Sequence, residues 1–245
     1  MKDLRYRAQV FKNPAYLVSA AARQWFEAVK ALKDNQPFNV ALSGGRIAAP
    51  FLQEASALFG KSPALLKRLN VFWADERCVG PEHPDSNHAM FQENFANPVS
   101  FPDSRVFRFR GEDDPDKAAK SMASTLKAKL PLNSSGVPTF DLIFLGMGED
   151  GHVASLFPEN MAEDLTRSDR HVFQVVASKP PPQRLTLSYD VLETSKHVWA
   201  LISGAGKETA LRESIGHHGQ TPFARVIQTR VHTEILTDIA IYDHV

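Results

Sequence analysis

Phe140-Asp-Leu-Ile-Phe-Leu-Gly-Met-Gly-Glu-Asp-Gly-His152 runs from a nearly continuous apolar stretch into a loop with three glycines. A strand that is apolar at every position, rather than at alternate ones, is covered on both faces, as in a parallel sheet. Two more segments repeat the pattern. Phe38-Asn-Val-Ala-Leu42 ends in Ser43-Gly44-Gly45, and Val71-Phe-Trp-Ala74 ends in Asp75-Glu76-Arg77. Helical spacing of apolar residues separates such strands at Ala15–Leu32, Ile47–Phe59, Ser86–Phe95, Pro115–Leu130 and Gly206–Ile215. Val172–Val176, Arg184–Leu187, Val198–Ile202 and Glu234–Thr237 read as further strands. This alternation predicts an α/β chain with an open, mostly parallel sheet flanked by helices. No composition break or linker divides it, so residues 1–245 are read as a single domain. The run Pro180-Pro-Pro182 is expected to be stiff and extended.

Composition narrows the function. The 245 residues carry 28 Lys+Arg against 28 Asp+Glu. A chain with no net charge has no global attraction to nucleic acid or an anionic membrane, although a local basic pocket remains open. Neither a nucleic-acid nor a membrane partner is expected. Cys78 is the sole cysteine, which leaves no intrachain disulfide and no cysteine-rich zinc site. The N-terminal residues are charged and lack the apolar core of a secretory signal, and no apolar run reaches membrane-spanning length. The expectation is a cytoplasmic protein. Its oligomeric state, monomer or dimer, is not legible.

In open α/β sheets ligands bind beyond the carboxyl ends of the strands, so the three polar strand ends can converge on one edge. Ser43-Gly44-Gly45 before a helix is either a backbone cradle for an anion or a tight turn that needs glycine. Asp75-Glu76-Arg77 is either part of a site or a solvated charge run, with Arg77 suited to bidentate phosphate binding. Gly146–His152 carries the strongest signal, because a plain turn does not need three glycines. In it Asp150 can fix the tautomer of His152, two residues on, and make it a general base. Lys207, opening a helix after Gly204-Ala-Gly206, and Arg184, after the triple proline, can reach the same edge or sit on the surface. No His/Asp/Glu group has metal-ligand spacing, so no metal and no cofactor are expected.

At these residues the chain resembles the 6-phosphogluconolactonase family. Phe72-Trp-Ala-Asp-Glu-Arg77, Ser86-Asn87, residues 141–158, Lys179-Pro-Pro-Pro-Gln-Arg-Leu-Thr-Leu187 and Gly204-Ala-Gly-Lys207 match its motifs in order. The resemblance covers about residues 38–227. It implies a doubly wound, Rossmann-like sheet similar to the glucosamine-6-phosphate deaminase fold. It also implies hydrolysis of a sugar-phosphate lactone, 6-phospho-D-glucono-1,5-lactone, in the oxidative pentose phosphate pathway. By the same likeness His152 is the base, Asp150 orients it, and Arg77, Lys207 and Arg184 hold the phosphate. Backbone donors at Gly44, Gly45, Gly148 and Gly151 would meet the charge forming on the carbonyl oxygen. The deaminases of the fold family continue D-G-H differently and read M-D-E-Y where this chain has Ala74-Asp-Glu-Arg77. A deaminase/isomerase-like enzyme and a non-catalytic sugar-phosphate sensor are the alternatives. One departure stands out: Arg46 follows Ser43-Gly44-Gly45 where the family carries a hydroxyl, and either replaces it or faces solvent.

Overall fold

The computed structural model describes residues 5–33, 36–160 and 170–241. The first half of the chain holds β1 (Tyr6–Val10), α1 (Pro14–Lys30), β2 (Phe38–Leu42), α2 (Ala48–Phe59), α3 (Pro63–Leu66), β3 (Leu69–Trp73) and β4 (Asp75–Arg77). Then come α4 (Asn87–Phe91), α5 (Asn97–Val99), α6 (Pro115–Lys129) and β5 (Leu142–Leu145). The last part holds β6 (Val172–Val176), β7 (Gln183–Leu187), α7 (Tyr189–Thr194), β8 (His197–Ile202), α8 (Glu208–Ile215), α9 (Pro222–Thr229) and β9 (Thr233–Thr237).

Six strands form one sheet in the order β1-β9-β8-β5-β2-β3, and every pairing in it is parallel. Each residue of β2 and β5 is buried, as uninterrupted apolar strands require. From β2 the chain moves outward to β3, then returns to the other side of β2 to lay down β5. The crevice between β2 and β5 is therefore the topological switch point, where α/β sheets place ligands.

Three parts of the sequence reading are corrected. β6 and β7 do not join the parallel sheet; with β4 they form a separate antiparallel sheet in the order β4-β7-β6. Asp75-Glu76-Arg77 is not a loop at the end of β3 but a strand of that second sheet. The main chain crosses from one sheet to the other at Ala74, whose carbonyl accepts the Leu187 N–H at 2.8 Å. The prolines are not an extended spacer either. They turn the hairpin between β6 and β7, with Pro182 O accepting the Ala177 N–H and the Pro180–Pro181 bond cis.

Helices follow their sequence signals. Asn13, Asp114 and Thr221 cap α1, α6 and α9 with their side chains, and each is followed by proline in the first turn. The expected helix over Ser86–Phe95 starts where predicted, with Ser86 as its cap, but passes into a π-turn at Gln92–Ala96. The core between α1, α2 and the sheet is aromatic. Trp25, fully buried, packs against Phe51, Phe59, Phe95 and Phe144 with ring centroids 4.9–5.8 Å apart. At the amino ends of the strands Asp141 accepts from Asn39 N at 2.8 Å and Lys196 Nζ at 2.7 Å, which ties β2, β5 and β8 together opposite the site.

Candidate active site

A cavity of about 240 Å³ opens at the switch point. Its wall comes from the loops after β2, β5 and β8, from β4, and from the β6–β7 turn with β7. Ser43, Gly44, Gly45, Arg46, Asp75, Arg77, Gly148, His152, Arg184 and Lys207 all line it. Larger depressions of about 500 and 700 Å³ lie against α6 and α4, away from the strand ends. Size does not decide between them. Of these three, the switch-point cavity is the one where His152, backed by Asp150, meets converging cations.

The pair is tight. His152 Nδ1 lies 2.5 Å from Asp150 Oδ1, and the same oxygen accepts the His152 backbone N–H at 3.2 Å. Burial opposes ionisation of Asp150, but the hydrogen bond and charge of His152 outweigh it and hold the carboxyl at about 2. An ionised Asp150 fixes the proton on Nδ1 and leaves Nε2 as the basic nitrogen. The imidazole also packs at a 45° tilt against Phe157, ring centroids 4.6 Å apart, which limits its rotation. Gly148 makes the arrangement possible: a Cβ there would lie 2.1 Å from His152 Nδ1 and 2.5 Å from Asp150 Oδ1. The loop is closed by Gly148 N–H to His152 O at 2.9 Å.

Gly151 is not part of the cavity wall, contrary to the sequence reading. Its φ of +79° suits glycine, and a Cβ there would stand 2.6 Å from the Cβ of Thr221. Its carbonyl accepts the Phe223 N–H at 3.0 Å. The first turn of α9 therefore buttresses the loop from behind. Asp150 likewise stands behind His152 rather than on the wall.

β4 divides the Asp-Glu-Arg motif by the two-residue period of a strand. Asp75 and Arg77 reach the cavity, while Glu76 turns away. Asp75 is buried and its Oδ2 accepts the Ser155 hydroxyl at 2.7 Å. A carboxylate repels phosphate, so within the substrate-binding set Asp75 is suited to accepting hydroxyl groups. Glu76 accepts N–H groups of Arg77, Asn87 and His88 at 2.8–2.9 Å and caps the short α4. Burial nevertheless pushes its carboxyl up to about 7 from an ordinary 4.5. The folded chain then holds a proton that the unfolded chain releases, so stability should fall as pH rises from 4.5 to 7. Urea midpoints for wild type and Glu76→Gln across this window check it. Equal slopes for the two would refute it.

The cations fall into two groups. Arg46 Nη2 lies 3.6 Å from Glu149 Oε1, close to Lys207. Burial, then the charge of Arg46, lowers the Lys207 pKa, with Glu149 and Asp238 pulling it up. Arg46 lines the cavity while its side chain stays 75% exposed, so it also faces solvent. Ser43 keeps its hydroxyl on the wall, with Oγ buried and without a hydrogen-bond partner. Arg77 and Arg184, the second group, face each other across β4 and β7. Two charged wall residues escaped the sequence reading of the site, Lys179 and Glu149. Both sit inside quoted motifs, and only the turn geometry brings Lys179 inward. Among the described residues no three His, Cys, Asp or Glu side chains are grouped to hold a metal ion.

The sequence profile described as glucosamine-6-phosphate isomerases/6-phosphogluconolactonase matches residues 12–236. A 6-phosphogluconolactonase of Synechocystis is 35% identical over 185 residues, 75% of this chain and 74% of that protein. One of Streptomyces coelicolor is 32% identical, covering 82% of this chain and 79% of the relative. The match to the chloroplastic 6-phosphogluconolactonase 3 of Arabidopsis thaliana is 32% identical but spans 61% of that longer protein. Among solved structures, the 6-phosphogluconolactonase of Trypanosoma brucei superposes with a TM-score of 0.83 at 27% identity, covering 94% of this chain and 95% of the other. A monomeric glucosamine-6-phosphate deaminase shares the fold at a TM-score of 0.78 and 17% identity, covering 94% of this chain and 96% of that one.

Proposed function

Because the chain belongs to the glucosamine-6-phosphate isomerase/6-phosphogluconolactonase family, we propose that it hydrolyses 6-phospho-D-glucono-1,5-lactone to 6-phosphogluconate in the oxidative pentose phosphate pathway. The observation that carries this reading is His152 on the wall of a cationic cavity at the switch point, with Asp150 behind it at 2.5 Å. A lactone phosphate needs this combination: a base for water, donors for the oxyanion, and cations for the phosphate.

In the reaction His152 Nε2 takes a proton from water as the water oxygen bonds to the lactone carbonyl carbon. The carbonyl oxygen becomes negative and is met by backbone and cationic donors of the wall. The tetrahedral centre then collapses, the bond from C1 to the ring oxygen breaks, and the proton on Nε2 passes to that oxygen. The carboxylic acid product ionises, so each turnover releases one proton. Asp150 stays ionised throughout and stabilises the imidazolium between the two transfers. Ser43, Gly44, Gly45, Arg46 and Lys207 surround the slot suited to the phosphate. The lone free thiol of Cys78 fits a reducing compartment, and the cytoplasm is the setting we propose.

Proton release on addition of freshly generated 6-phosphogluconolactone, measured against spontaneous hydrolysis, tests the reading. Acceleration supports it. Hydrolysis no faster than the spontaneous rate, together with ammonia release from glucosamine 6-phosphate, would move the chain to the deaminase side of its family.

A further inference from the structure

The cations expected to share one phosphate are parted in the structure. Lys207 follows β8 and Arg77 follows β3 through β4, with β5 and β2 between them in the sheet. Three strand spacings of about 4.8 Å put these strand ends roughly 14 Å apart. Arg46 belongs with Lys207: its Nη2 stands 4.0 Å from where a Cβ of Gly204 would be, in the loop after β8. The charges acting on Lys207 are Arg46, Glu149 and Asp238, whereas those acting on Arg184 are Arg77, Asp75, Asp85 and Glu76. No group is common to both. His152 stands between them, on the loop after β5.

The second group is a built site in want of an anion. Arg77 and Arg184 are direct cross-strand partners in an antiparallel pair, a placement in which like charges repel. Arg184 is only 7% exposed. It donates to neutral carbonyls, from Nε to Pro181 O at 2.7 Å and from Nη2 to Pro180 O at 3.4 Å. Arg77 gives Nη1 to Asp85 O at 2.6 Å, and its Nε is buried with no hydrogen-bond partner. Asp75 offsets one of the two charges, with one of its oxygens already on Ser155. Asp85 and Glu76 also act on Arg184, so what remains on this side of the cavity is an unmet donor, the buried Arg77 Nε.

We propose that Arg77 and Arg184 form a second anion subsite, distinct from the phosphate slot at Ser43–Arg46 and Lys207, that takes the carboxylate of an aldonate 6-phosphate. The ligand class is a linear sugar acid with an anion at each end. The proposal rests on the lactonase reading for the identity of that acid. It gives the subsite a part in the reaction, since the oxyanion and then the carboxylate form at the carbon nearest it. Inorganic phosphate alone needs only the Lys207 side.

Equilibrium titration with two non-reacting ligands tests this without turnover. One is 6-phosphogluconate; the other is glucitol 6-phosphate, the same chain with a neutral C1. Wild type should prefer the carboxylate by about tenfold or more, as a charged hydrogen-bonded pair warrants. Arg77→Gln should erase that preference and leave inorganic phosphate binding within twofold. Lys207→Gln should weaken both ligands equally and keep the preference. Arg184→Lys, which retains the charge in the buried position, should reduce the preference through loss of the planar fork. The proposal is overturned if wild type binds the two ligands equally, or if Lys207→Gln removes the preference. It also fails if Arg77→Gln weakens inorganic phosphate as much as Lys207→Gln does. A chain that binds by this pattern and does not open the lactone would refute the proposed activity and leave the subsite standing.

Discussion

Replacing His152 with alanine should lower kcat for the phosphorylated lactone by about 10²–10⁴-fold, the usual worth of a positioned general base. KM should change little, because the cations of the wall remain. The fold should survive as well: the imidazole contacts Asp150 and Phe157 but belongs to a partly exposed loop, not to the aromatic core around Trp25. Proton-release kinetics on both proteins, with far-UV circular dichroism as the folding control, check this. A variant with wild-type kcat would remove His152 from the chemistry. A residual rate well above the spontaneous one is expected, since oxyanion donors and phosphate binding remain in place.

Gly148→Ala should cost about 10²-fold in kcat, the penalty for a reacting group displaced by around an ångström. Its Cβ would occupy space 2.1 Å from His152 Nδ1 and 2.2 Å from Cε1. The ring must move, and with it the 2.5 Å bond to Asp150. The two variants differ in how they fail. His152→Ala removes the base, whereas Gly148→Ala keeps it and spoils its aim. Binding of 6-phosphogluconate should therefore stay near wild type in Gly148→Ala while turnover falls. A kcat within threefold of wild type would show that the loop accommodates the methyl group without loss.

Much of this arrangement was legible in the chain because it depends on local rules. The strands around Val40, Phe72 and Ile143 are apolar without alternation, and that alone predicts a covered parallel sheet. The helix starts at Ser86 and Pro115 were readable for the same reason. The Gly-rich loop after β5 announced its pair, since Asp150 and His152 are two residues apart and their contact is local. What escaped depends on long-range pairing. Asp75–Arg77 gives no sign that it leaves one sheet for another, since three residues have too short a pattern. The pairing of Arg77 with Arg184 spans more than a hundred positions. Gly151 looked like a ligand contact because glycine answers both to a ligand and to a neighbour's bulk, and only the position of Thr221 decides. β1 and α9 lay unread, the first because Tyr6–Val10 is short and alternates apolar with polar residues instead of running apolar like the inner strands.

The site wall built on β4 and β7 is a small structure with its own cohesion. It hangs from the parallel sheet through the crossing at Ala74 and the bond from Ser155 to Asp75. Its inner residues Leu185 and Leu187 are fully buried in the common core, so local opening of this sheet is the motion a bound ligand would oppose. A ligand spanning His152 and the two guanidiniums would stitch this flap to the larger sheet. Occupancy and order of the flap are then two faces of one equilibrium: each lends the other stability by mass action. The molecule's resistance to proteolysis within the β6–β7 hairpin becomes a gauge of how full its site is.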